Sequence, residues 1–294
     1  MILNKYDGFI FDLDGTIYRG ENLLPGAKEV IAEIKNQNSS HVFLSNKPIA
    51  RREKYAEKLT GLGIETTAEQ VINSSYVTAD YLQSNFPGDV VYVIGESSLI
   101  EEIEEAGIKV ANKNSEDFAR RVVSGSTSME DFLHFQSKNF KYKDIECLVI
   151  SFDRTFHYGK LNDALQIIRA RAGEIEIIAT NPDTTCPVEG GVVPDAAGII
   201  AAVEAAGEQK IDKITGKPSG HMIQTAITTM GFDNRVKSHN FLMVGDRLET
   251  DVKMGLKADI DTALVLSGVT DRSTVEKSDL NPDYVLNSVR ELRM

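Results

Sequence analysis

The chain has 294 residues, with 32 Lys and Arg against 44 Asp and Glu, a formal net charge of −12 at pH 7. That balance argues against a protein that wraps a polyanion, and a 41% hydrophobic content excludes a disordered or collagen-like chain. The longest nearly apolar stretch, Ala196 to Val203, is far short of the roughly 18 residues that suggest a membrane span.

In chain order, Gly8 to Leu13 reads as a buried strand. Pro25 then opens a helix whose Ala27, Val30, Ile31 and Ile34 recur at the spacing of one apolar face. His41 to Ser45 is the next strand, followed by a charged helix from about Ile49 to Leu59. This β-α-β alternation predicts an α/β fold with a doubly wound parallel sheet. The last third repeats the grammar: a helix near Ala196 to Ala206, a short strand ending at Thr215, a helix from Ser219, the strand Phe241 to Val244, a helix from about Glu249 and the strand Thr262 to Leu266. It is expected to continue the same sheet. Between these stretches lie the strands Val90 to Ile94, Leu148 to Phe152 and Ile175 to Ala179. They predict an inserted αβ domain over 79–189, with the core discontinuous over 1–78 and 190–294. The polar stretch Asn112 to Lys143 is expected to carry helices.

Asp12-Leu13-Asp14-Gly15-Thr16 falls where the first strand ends. Side chains two apart on an extended backbone project to the same side, so both acids can address one small volume. Open parallel sheets bind ligands beyond the carboxyl ends of their strands. Two close carboxylates repel unless a cation or proton lies between them, and Mg²⁺ prefers oxygen ligands of this kind. The plainer reading is an Asp-Gly turn with a helix cap.

The second strand ends in Ser45 and Asn46, a hydroxyl and an amide suited to phosphate oxygens. Gly216-Lys217-Pro218-Ser219 places a lysine just ahead of a helix that Ser219 can cap, and Gly245 to Asp251 carries Asp246 and Asp251 after another strand. Singly, these read as an ordinary turn, a solvated charge and helix capping. Together, an acid pair, a hydroxyl, a lysine and a second acid pair at strand ends form a phosphoryl-transfer set.

The stretches DLDGT at Asp12 to Thr16, SN at Ser45 and Asn46, GKPS at Gly216 to Ser219 and GDRLETD at Gly245 to Asp251 resemble the four motifs of haloacid-dehalogenase-superfamily phosphatases. The insertion, with ATNPD at Ala179 to Asp183, resembles the large αβ cap of the NagD-like branch. The resemblance implies Asp12 as nucleophile and Asp14 as general acid and then base. It implies Ser45 and Asn46 as phosphate-binding groups, with Lys217 supplying charge. Asp12, the Asp14 main-chain carbonyl, Asp246 and Asp251 would hold Mg²⁺. A carboxylate attacking a phosphoryl dianion is anion against anion, so such cations offset the repulsion. The implied substrate is a small phosphorylated metabolite such as a sugar phosphate, a nucleotide or phosphoglycolate. No nucleic-acid or membrane partner is expected.

In the insertion, Asp183, Thr184, Thr185 and Cys186 lie in the loop after Ala179, which serves either as a substrate-recognition loop or as a Pro-bounded connector. Asp153 is expected to cap a helix and Lys160 to be solvated, although Arg154 or Lys160 could instead meet an anionic leaving group. Asn112 to Lys143 would enlarge the lid or form a homodimer contact. Cys147 and Cys186 are too few and too far apart for a disulfide framework or zinc site, and the N-terminus lacks the apolar core of a secretory signal, so the cytoplasm is the expected compartment. The five histidines receive no role. A phosphotransferase or phosphomutase, a receiver-type signalling module and a non-catalytic phospholigand sensor on the same fold are the alternatives.

Overall fold

The computed structural model describes residues 1–112, 141–188, 190–232 and 240–294. The chain divides into two compact units. The first comprises Met1–Asn46, Ala50–Val77 and Gly216–Met294, and the second Lys47–Ile49 and Thr78–Thr215.

The first unit is built on a six-stranded parallel sheet. Its strands are β1 (Gly8–Asp12), β4 (Ser40–Ser45), β5 (Val71–Asn73), β13 (Phe241–Gly245), β14 (Asp261–Val265) and β15 (Tyr284–Leu286), in the spatial order β15-β14-β13-β1-β4-β5. The central strand GFIFD is buried along its whole length, as expected of a strand covered on both faces. One apolar layer combines Phe9, Phe11, Phe43 and Val244 with Val30, Ile31 and Ile34 of α1 (Ala27–Asn36). The other combines Ile10, Val42, Leu44 and Met243 with Met222, Ile223 and Ile227 of a helix over Gly220–Thr229. A two-stranded antiparallel hairpin, β2 (Tyr18–Arg19) and β3 (Asn22–Leu23), follows β1.

The second unit has its own five-stranded parallel sheet. Its strands are β6 (Val90–Ile94), β7 (Lys109–Val110), β8 (Cys147–Ile150), β9 (Glu176–Ala179) and β12 (Lys213–Ile214), in the order β12-β9-β8-β6-β7. Apolar clusters cover both of its faces. A separate antiparallel pair joins β10 (Thr185–Val188) to β11 (Gly191–Pro194).

The reading of residues 190–215 as core sheet is therefore corrected. β12 pairs with β9, and Ala196, Ile200 and Val203 of the helix Ala196–Gly207 pack with Ala164, Ile167 and Ile168 of the helix Tyr158–Ala170. The second unit thus runs through Thr215. An apolar helix face has the same sequence pattern whichever sheet it covers, so periodicity could not assign it. Most of Asn112 to Lys143, with its expected helices and dimer contact, lies outside the described residues. Within them, no helix is long and apolar enough to cross a membrane.

Candidate active site

β1 ends on Asp12, whose sheet partner on β4 is Leu44, so Ser45 stands one residue further along the neighbouring strand. On the other side β13 ends at Gly245, immediately before Asp246. The register thus delivers Asp12, Ser45 and Asp246 to one carboxyl edge of the sheet, at the point where a parallel sheet binds its ligands.

Lys217 reaches the same edge from the loop ahead of the helix Gly220–Thr229. Ser219 caps that helix by accepting a hydrogen bond from the His221 N–H at 3.2 Å. The Asn46 side chain fixes the lysine's main chain at both polar atoms. Its Oδ1 accepts from Lys217 N–H at 2.8 Å and its Nδ2 donates to the Lys217 carbonyl at 3.2 Å. Ser74 Oγ in turn donates to the Asn46 carbonyl at 2.7 Å. Asn46 therefore acts on Lys217 through these bonds, a task that the sequence did not suggest.

The Lys217 ammonium donates to Asp12 Oδ1 and, at 2.7 Å, to Asp251 Oδ1. Asp251 belongs to a single π-type turn, Leu248–Val252, where the Val252 N–H reaches back to the Arg247 carbonyl. Such turns recur at functional sites because the extra residue re-aims a side chain. Asp251 Oδ2 accepts from the Arg247 N–H at 3.1 Å. The expected plain helix from Glu249 is thus a π-turn followed by a short helix, Lys253–Lys257.

Asp12, Asp246, Asp251 and Lys217 are all buried, and one carboxylate oxygen from each acid lies within 4.8 Å of the others. Three buried carboxylates against one ammonium leave an excess of negative charge. Burial drives the Asp12 carboxyl well above its ordinary range; Lys217 counters this, while Asp251 and Asp246 add to it. Burial and then Asp251 push Asp246 up to about 6, against the Val269 N–H, Arg247 and Lys217, which favour its charged form. For Lys217, burial opposes the charge, but Asp12 and Asp251 outweigh it and hold the ammonium above its ordinary range.

The donor set fits a hard divalent cation, being made entirely of carboxylate oxygens. Asp246 shows this most directly: its Oδ2 accepts from the Val269 N–H at 2.6 Å, while its buried Oδ1 has no hydrogen-bond partner. A buried acceptor left unpaired costs about 1–3 kcal/mol, a cost that a coordinated cation would remove.

Asp14 is half-buried, two residues beyond Asp12, where the backbone turns through Gly15 at φ +88°. The Gly15 N–H donates to the Tyr18 carbonyl at 2.8 Å, and the Ile17 and Tyr18 N–H groups close on Leu13. This turn folds the chain back on itself directly after the two acids.

The cap residues belong to the second unit. Thr185 and Cys186 are not in a loop but open β10; Thr184 and Thr185 are exposed and Cys186 is buried. Asp183 is half-buried, and its N–H donates to Asn181 Oδ1 at 2.9 Å. The expected cap by Asp153 is corrected: His157 Nδ1 caps the helix Tyr158–Ala170, accepting from the Gly159 N–H. Asp153 instead pairs with Lys160 at 2.5 Å, and both are buried, so Lys160 is not solvated. Arg154 pairs with Glu96 through two nitrogens, at 2.5 and 2.7 Å.

Sequence reasoning missed the loop after β14. Ser267, Gly268 and Val269 stand at a further strand end, and the Ser-Gly pair directly after the apolar run Thr262 to Leu266 was the available signal.

The family described as haloacid dehalogenase-like hydrolase matches residues 9–109, and the one described as HAD-hydrolase-like matches residues 214–292. The sugar-phosphatase AraL of Bacillus subtilis is 35% identical over 285 residues, spanning 97% of this chain and 91% of that protein. The chloroplastic phosphoglycolate phosphatase 1A of Arabidopsis thaliana is 30% identical, spanning 99% of this chain and 77% of the relative. Among solved structures, a 4-nitrophenylphosphatase from Thermotoga maritima superposes with a TM-score of 0.80 at 31% identity, covering 99% of this chain and 98% of that one.

Proposed function

The chain belongs to the haloacid dehalogenase-like hydrolases, as a phosphatase of the NagD-like branch, and from this premise we propose that it hydrolyses small phosphate monoesters through an aspartyl-phosphate on Asp12. The observation that carries the reading is the buried cluster of Asp12, Asp246, Asp251 and Lys217, assembled from residues up to 239 positions apart around one strand end. A protein that only bound a phosphorylated ligand would have no use for a second acid two residues beyond the nucleophile.

In this reading an Asp12 carboxylate oxygen attacks phosphorus while the bond to the ester oxygen breaks. Asp14 gives its proton to that leaving oxygen, and the alcohol departs. Asp14, now ionised, takes a proton from a water that attacks the phosphorus of the aspartyl-phosphate, releasing inorganic phosphate and restoring Asp12. Lys217 holds Asp12 in place and contributes positive charge where negative charge accumulates. Ser45 addresses the phosphoryl oxygens, and Asn46 keeps Lys217 in register. Asp12, Asp246, Asp251 and the Asp14 main-chain carbonyl are the groups that would hold Mg²⁺, which when bound supplies the charge that makes anion-on-anion attack feasible.

The proposed substrate is a sugar phosphate or a similarly small ester such as 2-phosphoglycolate, a class supported by the names of the relatives at 35% and 30% identity. Asp183, Thr184, Thr185 and Cys186 in the second unit are proposed to set substrate choice, Thr184 and Thr185 through their exposed side chains. The proposed compartment is the cytoplasm. A panel of sugar phosphates, 2-phosphoglycolate, nucleoside monophosphates and 4-nitrophenyl phosphate, assayed for inorganic phosphate with Mg²⁺, tests the function. Release from sugar phosphates supports it, and no release from any member rules it out.

A further inference from the structure

The Asp246 carboxylate is held between two loops that meet through hydrogen bonds of their own. Ser267 Oγ donates to the Gly15 carbonyl at 2.7 Å. From the β2–β3 hairpin, Arg19 Nη2 donates to the carbonyls of Ser267 at 2.5 Å and Gly268 at 3.3 Å. A Cβ on Gly15 would meet Asp246 Oδ2 at 2.5 Å and the Gly268 Cα at 2.9 Å, and one on Gly268 would run into the Asp246 carboxylate itself. The Asp246 carbonyl also accepts from the Thr270 N–H at 3.2 Å, so the loop grips this residue at main chain and side chain alike.

A carboxyl group turns easily about its last torsion, which has broad minima. A ligand of this kind binds a cation tightly only when its second oxygen and its surroundings fix its orientation. Here the Val269 N–H occupies Oδ2, the two glycines close the space on either side, and Oδ1 is the oxygen left for a cation.

We propose that the Ser267–Val269 loop, clamped to the β2–β3 hairpin by Arg19, is the seat that orients Asp246 for metal binding, with Arg19 and Gly268 as positioning residues. It rests on the phosphatase reading only in taking the acid cluster as a cation site. Gly268 has no left-handed φ, so an alanine there acts through the space its Cβ takes from Asp246 and not through backbone strain.

The test is Mg²⁺ binding by isothermal titration calorimetry to the substrate-free full chain, comparing wild type with Arg19→Ala, Arg19→Lys and Gly268→Ala, together with their melting temperatures. Loss of support around a metal ligand typically weakens affinity about 10- to 100-fold. Gly268→Ala is expected to raise the Mg²⁺ dissociation constant at least about tenfold. Arg19→Ala is expected to give a smaller rise that Arg19→Lys partly reverses, and KM for 4-nitrophenyl phosphate at saturating Mg²⁺ should stay near wild type. A fall in melting temperature with an unchanged dissociation constant in Arg19→Ala would overturn the proposal. Should Gly268→Ala fail to fold, Arg19→Ala decides alone, because Arg19 is exposed. Wild-type protein that binds no Mg²⁺ also overturns it. Wild-type protein that binds Mg²⁺ yet cleaves no ester overturns the phosphatase reading and leaves the seat for Asp246 intact.

Discussion

At the scale of single residues, the two acids of DLDGT have different surroundings and hence separable tasks. Asp12 is locked in an ion pair with Lys217, whereas Asp14 sits half-buried beyond it. General acid help matters most for a poor leaving group, and its loss typically costs about 10²- to 10⁴-fold. Asp14→Asn is expected to lose that much rate on a sugar phosphate. On 4-nitrophenyl phosphate, whose leaving group departs unprotonated, it should release a burst of nitrophenolate of about one equivalent and then stall at hydrolysis of the aspartyl-phosphate; stopped-flow absorbance reads the burst. Lys217→Ala removes the ammonium that pairs with the buried carboxylates of Asp12 and Asp251. Breaking a buried pair from one side costs about 3–5 kcal/mol, so the variant should melt well below wild type in EDTA and recover more than wild type on adding Mg²⁺. Most of these residues were legible because each stands at a strand end beside a turn signal. Arg19 was not: an exposed arginine in a polar stretch looks solvated, and its partners lie 248 and 249 residues away.

Among the elements, the helix Tyr158–Ala170 is tied to its sheet by a polar contact inside an apolar cluster. Tyr92 on β6 donates to Asp163 Oδ2 at 2.7 Å and Tyr142 to Oδ1 at 3.0 Å. Burial raises the Asp163 carboxyl to about 7, although the two tyrosine hydrogen bonds favour its charged form. Between the ordinary value of 3.8 and about 7, the folded chain holds a proton that the unfolded chain has released. Stability from this group is therefore full below 3.8 and lost as the pH rises toward 7. Melting curves across that window should show the decline, and Asp163→Asn should flatten it; an unchanged slope would refute the assignment. This contact was hidden in the sequence, since an aspartate in a helix reads as solvated until its partners are known. The pair β10 and β11 was hidden for a related reason. With Pro187 in it the stretch read as a loop, for recognition or as a connector, while pairing with Gly191–Pro194 makes Thr185–Val188 a strand.

For the molecule as a whole, the alternating pattern revealed two αβ units and the insertion of one into the other, because strand and helix periods are local properties. The return point was misplaced, because membership of Ala196–Gly207 and Lys213–Ile214 in a sheet depends on partners the pattern does not name. The acid cluster shows why the chain is closed by its C-terminal third: Asp246 and Asp251 come from the last 50 residues and Asp12 from the first dozen. A cation that binds only the folded cluster stabilises the fold by mass action, by about 2.7 kcal/mol at 100 times its dissociation constant. Mg²⁺ should therefore raise the melting temperature of wild type and leave Asp246→Asn nearly unmoved. The decisive measurement is Mg²⁺-dependent phosphate release from 4-nitrophenyl phosphate by wild type and by Asp12→Asn. Steady release by wild type, with Asp12→Asn folded but inactive, is the expected result, and release by Asp12→Asn at the wild-type rate would contradict the aspartyl-phosphate route.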